Sequence, residues 1–167
     1  MISQRRTFVD FSSLNSNSYF RDVKFEAMKR LINILLIEDD YLDQLEVQRI
    51  LDKKSIFYQI KIAANGEAGL AMLKEKDSPI YNGPPDIILL DLNMPKMNGF
   101  EFLEAMRKES EFRSVKIFVL TTSDEKEDKL AVKQFGVSGF ITKPLKLESP
   151  SSLDAFNLMI DLMNMQR

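Results

Sequence analysis

The sequence predicts a doubly wound α/β fold, in which five parallel strands alternate with five helices. Two runs, residues 32–37 and 87–90, are apolar or nearly so, which is typical of strands that are buried on both faces. Each run stops at a carboxylate, and each is followed by a segment with apolar residues at helical spacing. Right-handed crossovers between parallel strands then give an open sheet with helices on both sides.

Local signals place each element along the chain. The predicted strands are residues 32–37, 58–63, 87–90, 115–120 and 139–141. The predicted helices run from residue 41 to about 52, from 66 to about 76, after the turn at 98–99, from the cap at 124 to 135, and from about 152. Asp40, Asn65 and Asp124 are placed to cap three of these helices. Gly136 is the expected left-handed terminator of the fourth helix.

The first 30 residues differ from the rest of the chain. Residues 12–18 are polar and rich in turn formers, and the aromatic residues around them follow neither the helical nor the strand period. We therefore expect a poorly ordered N-terminal extension over residues 1–30 and one α/β domain over residues 31–167.

The composition restricts the chemistry that is available to the chain. It has 167 residues, of which 44% are hydrophobic and 29% charged, and it contains no cysteine and no histidine. Disulfides, thiolate metal sites, imidazole bases and a phosphohistidine role for this chain are therefore excluded. Any reaction has to use carboxylates, hydroxyls, lysines and backbone groups.

Charge and hydropathy argue against two classes of partner. The formal net charge is −2 with both signs spread along the chain, so we expect no direct contact with nucleic acid or with an anionic membrane. The longest apolar runs are about five residues, far below the roughly 20 that span a bilayer. No apolar segment follows the basic start of the chain, so we predict a cytoplasmic protein without a signal peptide.

Polar side chains follow the predicted strands at the point where each strand ends. They are Glu38, Asp39 and Asp40 after the first strand, Asp91 after the third, Thr121 after the fourth and Lys143 after the fifth. Ligands of doubly wound sheets bind beyond the carboxyl ends of the strands, where the strand order reverses. We therefore expect these side chains to meet in one functional site.

The predicted site combines the groups that phosphoryl transfer requires. Two carboxylates about 4 Å apart repel by roughly 1 to 4 kcal/mol, so a cluster of them favours a hard cation such as Mg²⁺. A lysine and a hydroxyl opposite the cation can bind an anion. With no histidine or cysteine in the chain, a carboxylate is the natural nucleophile, and Asp91 is the central one.

Four segments closely resemble the response-regulator receiver family. They are LLIEDD at 35–40, DIILLDLNMPKMNG at 86–99, VLTT at 119–122 and FITKP at 140–144. The resemblance covers about residues 31 to 165, and the segments occur in the family's order. It implies a flavodoxin-like (βα)5 fold with strand order 2-1-3-4-5.

This resemblance implies a metal site and a phosphorylation site. Asp91 would be the phospho-acceptor and also a ligand of Mg²⁺, which Asp39 would bind directly. Glu38 would act mainly through a metal-bound water, and the backbone carbonyl of Asn93 would complete the protein ligands.

The resemblance also implies three residues around the phosphoryl group. Thr121 would donate a hydrogen bond to that group, Lys143 would form an ion pair with it, and Phe140 would be an aromatic switch. The Lys143-Pro144 peptide bond is expected to be cis, a state that is accessible before proline. Without the resemblance, Phe140 would be an ordinary core residue. Asp40 is expected to be a helix cap in either case.

By the same resemblance, the phosphoryl donor is a sensor histidine kinase, and the chain is a phospho-acceptor instead of a metabolic enzyme. We expect a single-domain regulator that changes the surface made by the fourth helix, the fifth strand and the last helix. That change would serve a downstream effector or a homodimer, or the phosphoryl group would pass to a His-bearing phosphotransfer protein. The length and the segment 121–123 are similar to small receivers that are paired with bacteriophytochrome-type kinases.

Three other functions would use parts of the same pattern. A Mg²⁺-dependent phosphatase with an Asp nucleophile usually carries a second Asp two residues later, and that position is Asn93 here. A nucleotide-binding module would need a Gly-rich loop after the first strand, where the chain has acids. A degenerate receiver that serves as a scaffold without phosphorylation is disfavoured by the complete set of acidic-pocket residues.

Overall fold

The computed structural model describes residues 31–54, 57–75, 84–122, 126–145, 154 and 156–161. The predictions for the N-terminal extension at 1–30, the cap at Asp124 and the start of the last helix at 152 lie outside these residues.

The sheet has five parallel strands: β1 (Ile32–Ile37), β2 (Tyr58–Ala63), β3 (Ile87–Asp91), β4 (Lys116–Thr122) and β5 (Gly139–Lys143). Their order is β2-β1-β3-β4-β5, so the predicted fold and strand order are confirmed. β3, β4 and β5 extend one or two residues beyond the predicted ends, because backbone pairing continues into the polar residues after each apolar run.

Four helices connect the strands: α1 (Tyr41–Lys53), α2 (Gly66–Lys74), α3 (Gly99–Lys108) and α4 (Lys126–Lys133). A 3-10 turn covers Ser110–Phe112, and residues 156–161 are helical at the end of the chain. The predicted caps Asp40 and Asn65 are confirmed, since their side chains accept backbone N–H groups of the first turns of α1 and α2. α4 ends two residues before the predicted end, and Gly136 has the expected positive φ of 65°.

Two apolar cores cover the two faces of the sheet. On one face α2, α3 and α4 pack on alternate residues of β1, β3 and β4, around Phe102 and Met106. On the other face α1 and the C-terminal helical residues pack around Phe118 and Phe156. β3 is buried along its whole length, as the apolar run at 87–90 predicted.

The topology leaves one edge of the sheet as the place for a site. β1 and β3 are neighbours, and the chain proceeds from β1 to β2 on one side and then to β3 on the other. The helices that leave β1 and β3 therefore lie on opposite faces, which opens a crevice at the carboxyl ends of these strands.

No helix among the described residues is long and apolar enough to cross a membrane, and the cytoplasmic location stays a prediction.

Candidate functional site

The sheet brings the predicted site residues to one edge. Glu38 and Asp39 follow β1 directly, and Asp91 is the last residue of β3. Lys143 ends β5, where it pairs with Thr122 of β4, and Thr121 pairs with the preceding residue of β5, Thr142. Asp91 pairs with Leu120, which places Thr121 one residue beyond the carboxylate on the next strand.

Three carboxylates form an acidic cluster: Glu38, Asp39 and Asp91. One oxygen of each lies within 4.8 Å of the others, which is close to the roughly 4.2 Å between opposite ligands of a cation with metal–oxygen bonds of about 2.1 Å. Glu38 and Asp91 are buried, while Asp39 is exposed. The cluster therefore faces solvent on one side, where a Mg²⁺ ion would keep water ligands.

Glu38 is the most deeply buried acid of the cluster. Its side chain has no exposed surface; Oε1 accepts the Asp40 N–H at 3.1 Å, and its backbone carbonyl accepts Gln44 Nε2 at 2.8 Å. Burial raises the pKa of Glu38 to about 7, although Lys143 and the Asp40 N–H act in the opposite direction. A carboxyl that is this reluctant to ionise beside two other acids fits a site that a cation would stabilise.

Lys143 is the cation that the described residues place among these acids. Its Nζ lies 2.7 Å from Glu38 Oε2, 2.7 Å from Asp43 Oδ2 and 2.9 Å from Asp91 Oδ1. Burial alone would lower the pKa of Lys143, but the three carboxylates outweigh it and raise the pKa above its usual value. Lys143 therefore stays charged and reaches from β5 across β4 to the acids.

The loop after β3 holds Asp91 through its backbone. The Asn93 N–H donates to Asp91 Oδ2 at 2.9 Å, and the Gly99 N–H donates to the Leu92 carbonyl at 3.0 Å. The Gly66 N–H at the start of α2 donates to the Met97 carbonyl at 2.9 Å. Asn93 thus lies beside the cluster, and the role of its own carbonyl as a metal ligand stays a prediction.

Lys96 lies in the same loop and adopts a positive φ of 67°, a backbone conformation that residues other than glycine rarely take. The hydrogen bonds on either side of it oblige the chain to turn at this point. Such a conformation is retained where the surrounding contacts determine it.

Thr121 and Phe140 lie on the same face of the sheet. Phe140 pairs with Val119 of β4, two residues before Thr121, and side chains two apart in a strand share a face. Thr121 is buried, and its hydroxyl donates to the Thr122 carbonyl at 3.1 Å, whereas Phe140 is half-buried against the core. Their roles as phosphoryl ligand and switch stay predictions.

Sequence reasoning missed Asp43 as a member of the site. It lies in the first turn of α1, and its carboxylate contacts Lys143. An acid three residues after a helix cap is explained by the helix dipole alone, so nothing in the sequence marked Asp43 as a residue of the site. The one available hint was its closeness in sequence to Glu38 and Asp39, which precede the helix cap Asp40.

Comparison with known proteins assigns the class of protein. The family model described as the response regulator receiver domain matches residues 34–150. The chain is also 33% identical to the response regulator Rcp1 of Synechocystis sp., over 69% of this chain and 78% of Rcp1. This chain belongs to the response regulator receiver family, whose members act in two-component signalling.

Solved structures agree with this assignment. A two-component response regulator from Legionella pneumophila is 37% identical, with a TM-score of 0.66 over 80% of this chain and 99% of that one. The Mn²⁺-bound form of Rcp1 is 31% identical, with a TM-score of 0.59 over 80% of this chain and 88% of that one. The metal in the latter structure is a property of Rcp1.

Proposed function

We propose that this chain is a phospho-accepting response regulator in which Asp91 takes a phosphoryl group from a sensor histidine kinase. The observation that carries the proposal is the setting of the Asp91 carboxylate. It belongs to the acidic cluster, and its Oδ1 lies 2.9 Å from the Lys143 ammonium. A buried nucleophile between an expected cation and a lysine is suited to receive an anionic group.

The residues of the acidic cluster fit a Mg²⁺ ion. Asp39 and Asp91 would bind it directly, Glu38 through a metal-bound water, and the Asn93 carbonyl would complete the protein ligands. When bound, the ion supplies positive charge that stabilises the oxygens of the transferring phosphoryl group. The close spacing of the three carboxylates and the exposed side of the cluster support this assignment.

The transfer uses Asp91 as nucleophile. A carboxylate oxygen of Asp91 attacks phosphorus, a P–O bond forms, and the P–N bond to the kinase histidine breaks, leaving its electron pair on the imidazole. Lys143 exchanges part of its carboxylate contacts for the equatorial oxygens. The product is an acyl phosphate, which water can hydrolyse in the same site, so the chain assists its own phosphorylation and dephosphorylation without being a metabolic enzyme.

Signal output would follow from Thr121. Its hydroxyl donates to the Thr122 carbonyl, and a phosphoryl group on Asp91 offers a stronger, charged acceptor. Movement of Thr121 leaves space on the face of the sheet that it shares with Phe140, which can then turn inward. The surface of α4, β5 and the last helix would thereby change for a homodimer, an effector or a His-bearing phosphotransfer protein.

The phospho-acceptor is tested with Asp91→Asn. This variant keeps the size of the side chain and removes the nucleophilic carboxylate, so labelling by acetyl phosphate with Mg²⁺, followed by intact mass, should vanish. Asp161→Asn, which changes an exposed acid, is the matched control and should be labelled like the parent. Full incorporation of the phosphoryl group in Asp91→Asn would contradict the assignment of Asp91 as the phospho-acceptor. An unlabelled parent would favour a scaffold that works without phosphorylation.

The switch is tested with Thr121→Ala, which should still accept phosphate because Asp91 and Lys143 remain. We expect it to lose most of the change in oligomeric state that beryllofluoride, a phosphoryl mimic, induces in the parent. The measurement is analytical ultracentrifugation with and without the mimic, and Thr122→Ala at the neighbouring exposed position is the control. Equal shifts in parent and Thr121→Ala would mean that another residue couples the site to the surface.

A further inference from the structure

Lys143 contacts one carboxylate from outside the acidic cluster. An ammonium group has three N–H donors, and the three carboxylates around Lys143 match that number. Glu38 and Asp91 belong to the cluster that would hold the cation, whereas Asp43 belongs to the first turn of α1. Asp43 is also the most exposed of the three, with 25% of its side chain accessible against 0% and 9% for the other two.

We propose that Asp43 is a positioning residue, which anchors the Lys143 ammonium at the mouth of the site and presents it to the phosphoryl group on Asp91. This inference rests on the phospho-acceptor function proposed above. It adds a fourth acid, from a helix, to a site that was predicted from strand ends alone.

The reach of Lys143 explains why an anchor is useful. β5 and β3 are separated by β4, so the lysine backbone lies about two strand spacings, roughly 9.6 Å, from the strand that carries Asp91. Lysine is among the side chains that lose most rotamer freedom when they are ordered. A contact that survives phosphorylation would keep this long side chain in place throughout the reaction.

Asp43 is suited to remain with the lysine. A cation and a phosphoryl group would engage Glu38 and Asp91, and would thereby weaken their ion pairs with Lys143. Asp43 lies outside the acidic cluster, and its backbone is fixed because its N–H donates to the cap Asp40 Oδ1 at 3.1 Å. The 2.7 Å contact between Asp43 and Lys143 can therefore persist.

Kinetics of labelling give the first test. At saturating Mg²⁺ and with acetyl phosphate as the probe, the maximal labelling rate of Asp43→Ala should be about tenfold lower, as expected if one lysine has to be ordered anew. Asp43→Asn keeps an oxygen that accepts from the ammonium, so it should retain more of the rate than Asp43→Ala. A rate of Asp43→Ala at or above the parent's would overturn the proposal and show that Asp43 competes with the phosphoryl group.

A matched variant separates positioning from the general effect of an acid at a helix start. Glu67 is the exposed acid in the first turn of α2 and is not one of the three carboxylates around Lys143. Glu67→Ala removes the same charge from a helix N-terminus, and its labelling rate should stay within twofold of the parent's. An equal loss in Glu67→Ala and Asp43→Ala would reduce Asp43 to a helix-stabilising residue.

The ammonium itself gives the second test, which needs no phosphodonor. The ¹H–¹⁵N signal of the Lys143 Nζ group is assigned by its loss in Lys143→Arg. It is recorded with Mg²⁺ and beryllofluoride, which would engage Glu38 and Asp91, and it should show more restricted motion in the parent than in Asp43→Ala. Unchanged motion would overturn the anchor even if Asp43→Ala were labelled slowly. Should Asp43→Ala fail to fold, Asp43→Asn serves in both measurements.

The two proposals fail in different ways. A parent that acetyl phosphate does not label overturns the phospho-acceptor function, and with it the presentation of Lys143 to phosphate. If the parent is labelled and both Asp43→Ala and Asp43→Asn are labelled at the parent's rate, only the role of Asp43 is overturned.

Discussion

At the residue scale, the two oxygens of Asp91 have different partners. Oδ1 faces the Lys143 ammonium, and Oδ2 accepts the N–H of Asn93. The carboxylate is thus oriented by a lysine from a distant strand and by the backbone of its own loop. Gly99 packs directly against this backbone. A Cβ atom at position 99 would come within 2.5 Å of the Asp91 carbonyl oxygen and 2.7 Å of the Leu92 Cα.

We therefore predict that Gly99→Ala disturbs both the fold and the site. The new methyl group has to push backbone atoms aside, at a cost of about 1–3 kcal/mol in the free energy of unfolding, and should slow labelling of Asp91. Urea unfolding and intact-mass labelling check the two effects.

Gly136→Ala is the control for this substitution. It has open space around the position but a positive φ, so it should cost about 1 kcal/mol and leave labelling unchanged. Labelling of Gly99→Ala at the parent's rate would show that the loop absorbs the methyl group without moving Asp91.

At the element scale, Arg107 joins four pieces of chain. From α3 its guanidinium donates to carbonyls of Phe112 and Arg113 at the end of the 3-10 turn, of Val115 before β4, and of Phe135 and Gly136 after α4. Distances to the nearest of these oxygens are 2.8–2.9 Å. The planar, five-donor group is the side chain that can serve several carbonyls at once.

We predict that Arg107→Lys destabilises the fold by about 2–4 kcal/mol, although it keeps the charge, because an ammonium cannot reach these separate carbonyls. The check is the urea midpoint, with the exposed Arg113→Lys as control, which should stay within about 0.5 kcal/mol of the parent. A small effect of Arg107→Lys would mean that charge near the ends of α3 and α4 matters more than hydrogen-bond geometry.

At the scale of the whole molecule, two strands that are distant in sequence have to be paired before the acidic cluster exists. Ile37 of β1 pairs with Leu90 of β3, and the acids follow one residue later on each strand. The repulsion among them is then part of the cost of folding. A bound cation would offset this cost in the folded state only, so metal binding and stability are linked.

We predict that millimolar Mg²⁺ raises the melting temperature by several degrees, since a ligand at ten times its Kd contributes about 1.4 kcal/mol. The rise should disappear in Asp39→Ala, whose exposed side chain can be removed without opening the core, and persist in Glu111→Ala, an exposed acid outside the cluster. Differential scanning calorimetry checks this. If Mg²⁺ leaves the melting temperature of the parent unchanged, this result would count against the metal site.

Much of the fold could be read from local patterns. Strand positions follow from apolar runs and alternation, and the caps at Asp40 and Asn65 follow from a side chain that satisfies N–H groups two or three residues later. The strand order came from the resemblance, and the parallel pairing then placed Glu38, Asp39, Asp91, Thr121 and Lys143 at one edge. These features depend on neighbours in the chain or on a rule that holds for all doubly wound sheets.

The sequence by itself thus determined the helices and strands, their order along the chain and the edge of the sheet where the polar groups gather. Only the tertiary structure decided which groups the long side chains contact. Lys143 forms an ion pair with Asp43, and Arg107 donates to the carbonyls of Val115 and Gly136. The physical reason is range. Capping and periodicity act over a few residues, whereas the partner of a flexible, charged side chain is selected by packing that brings elements from distant parts of the chain together.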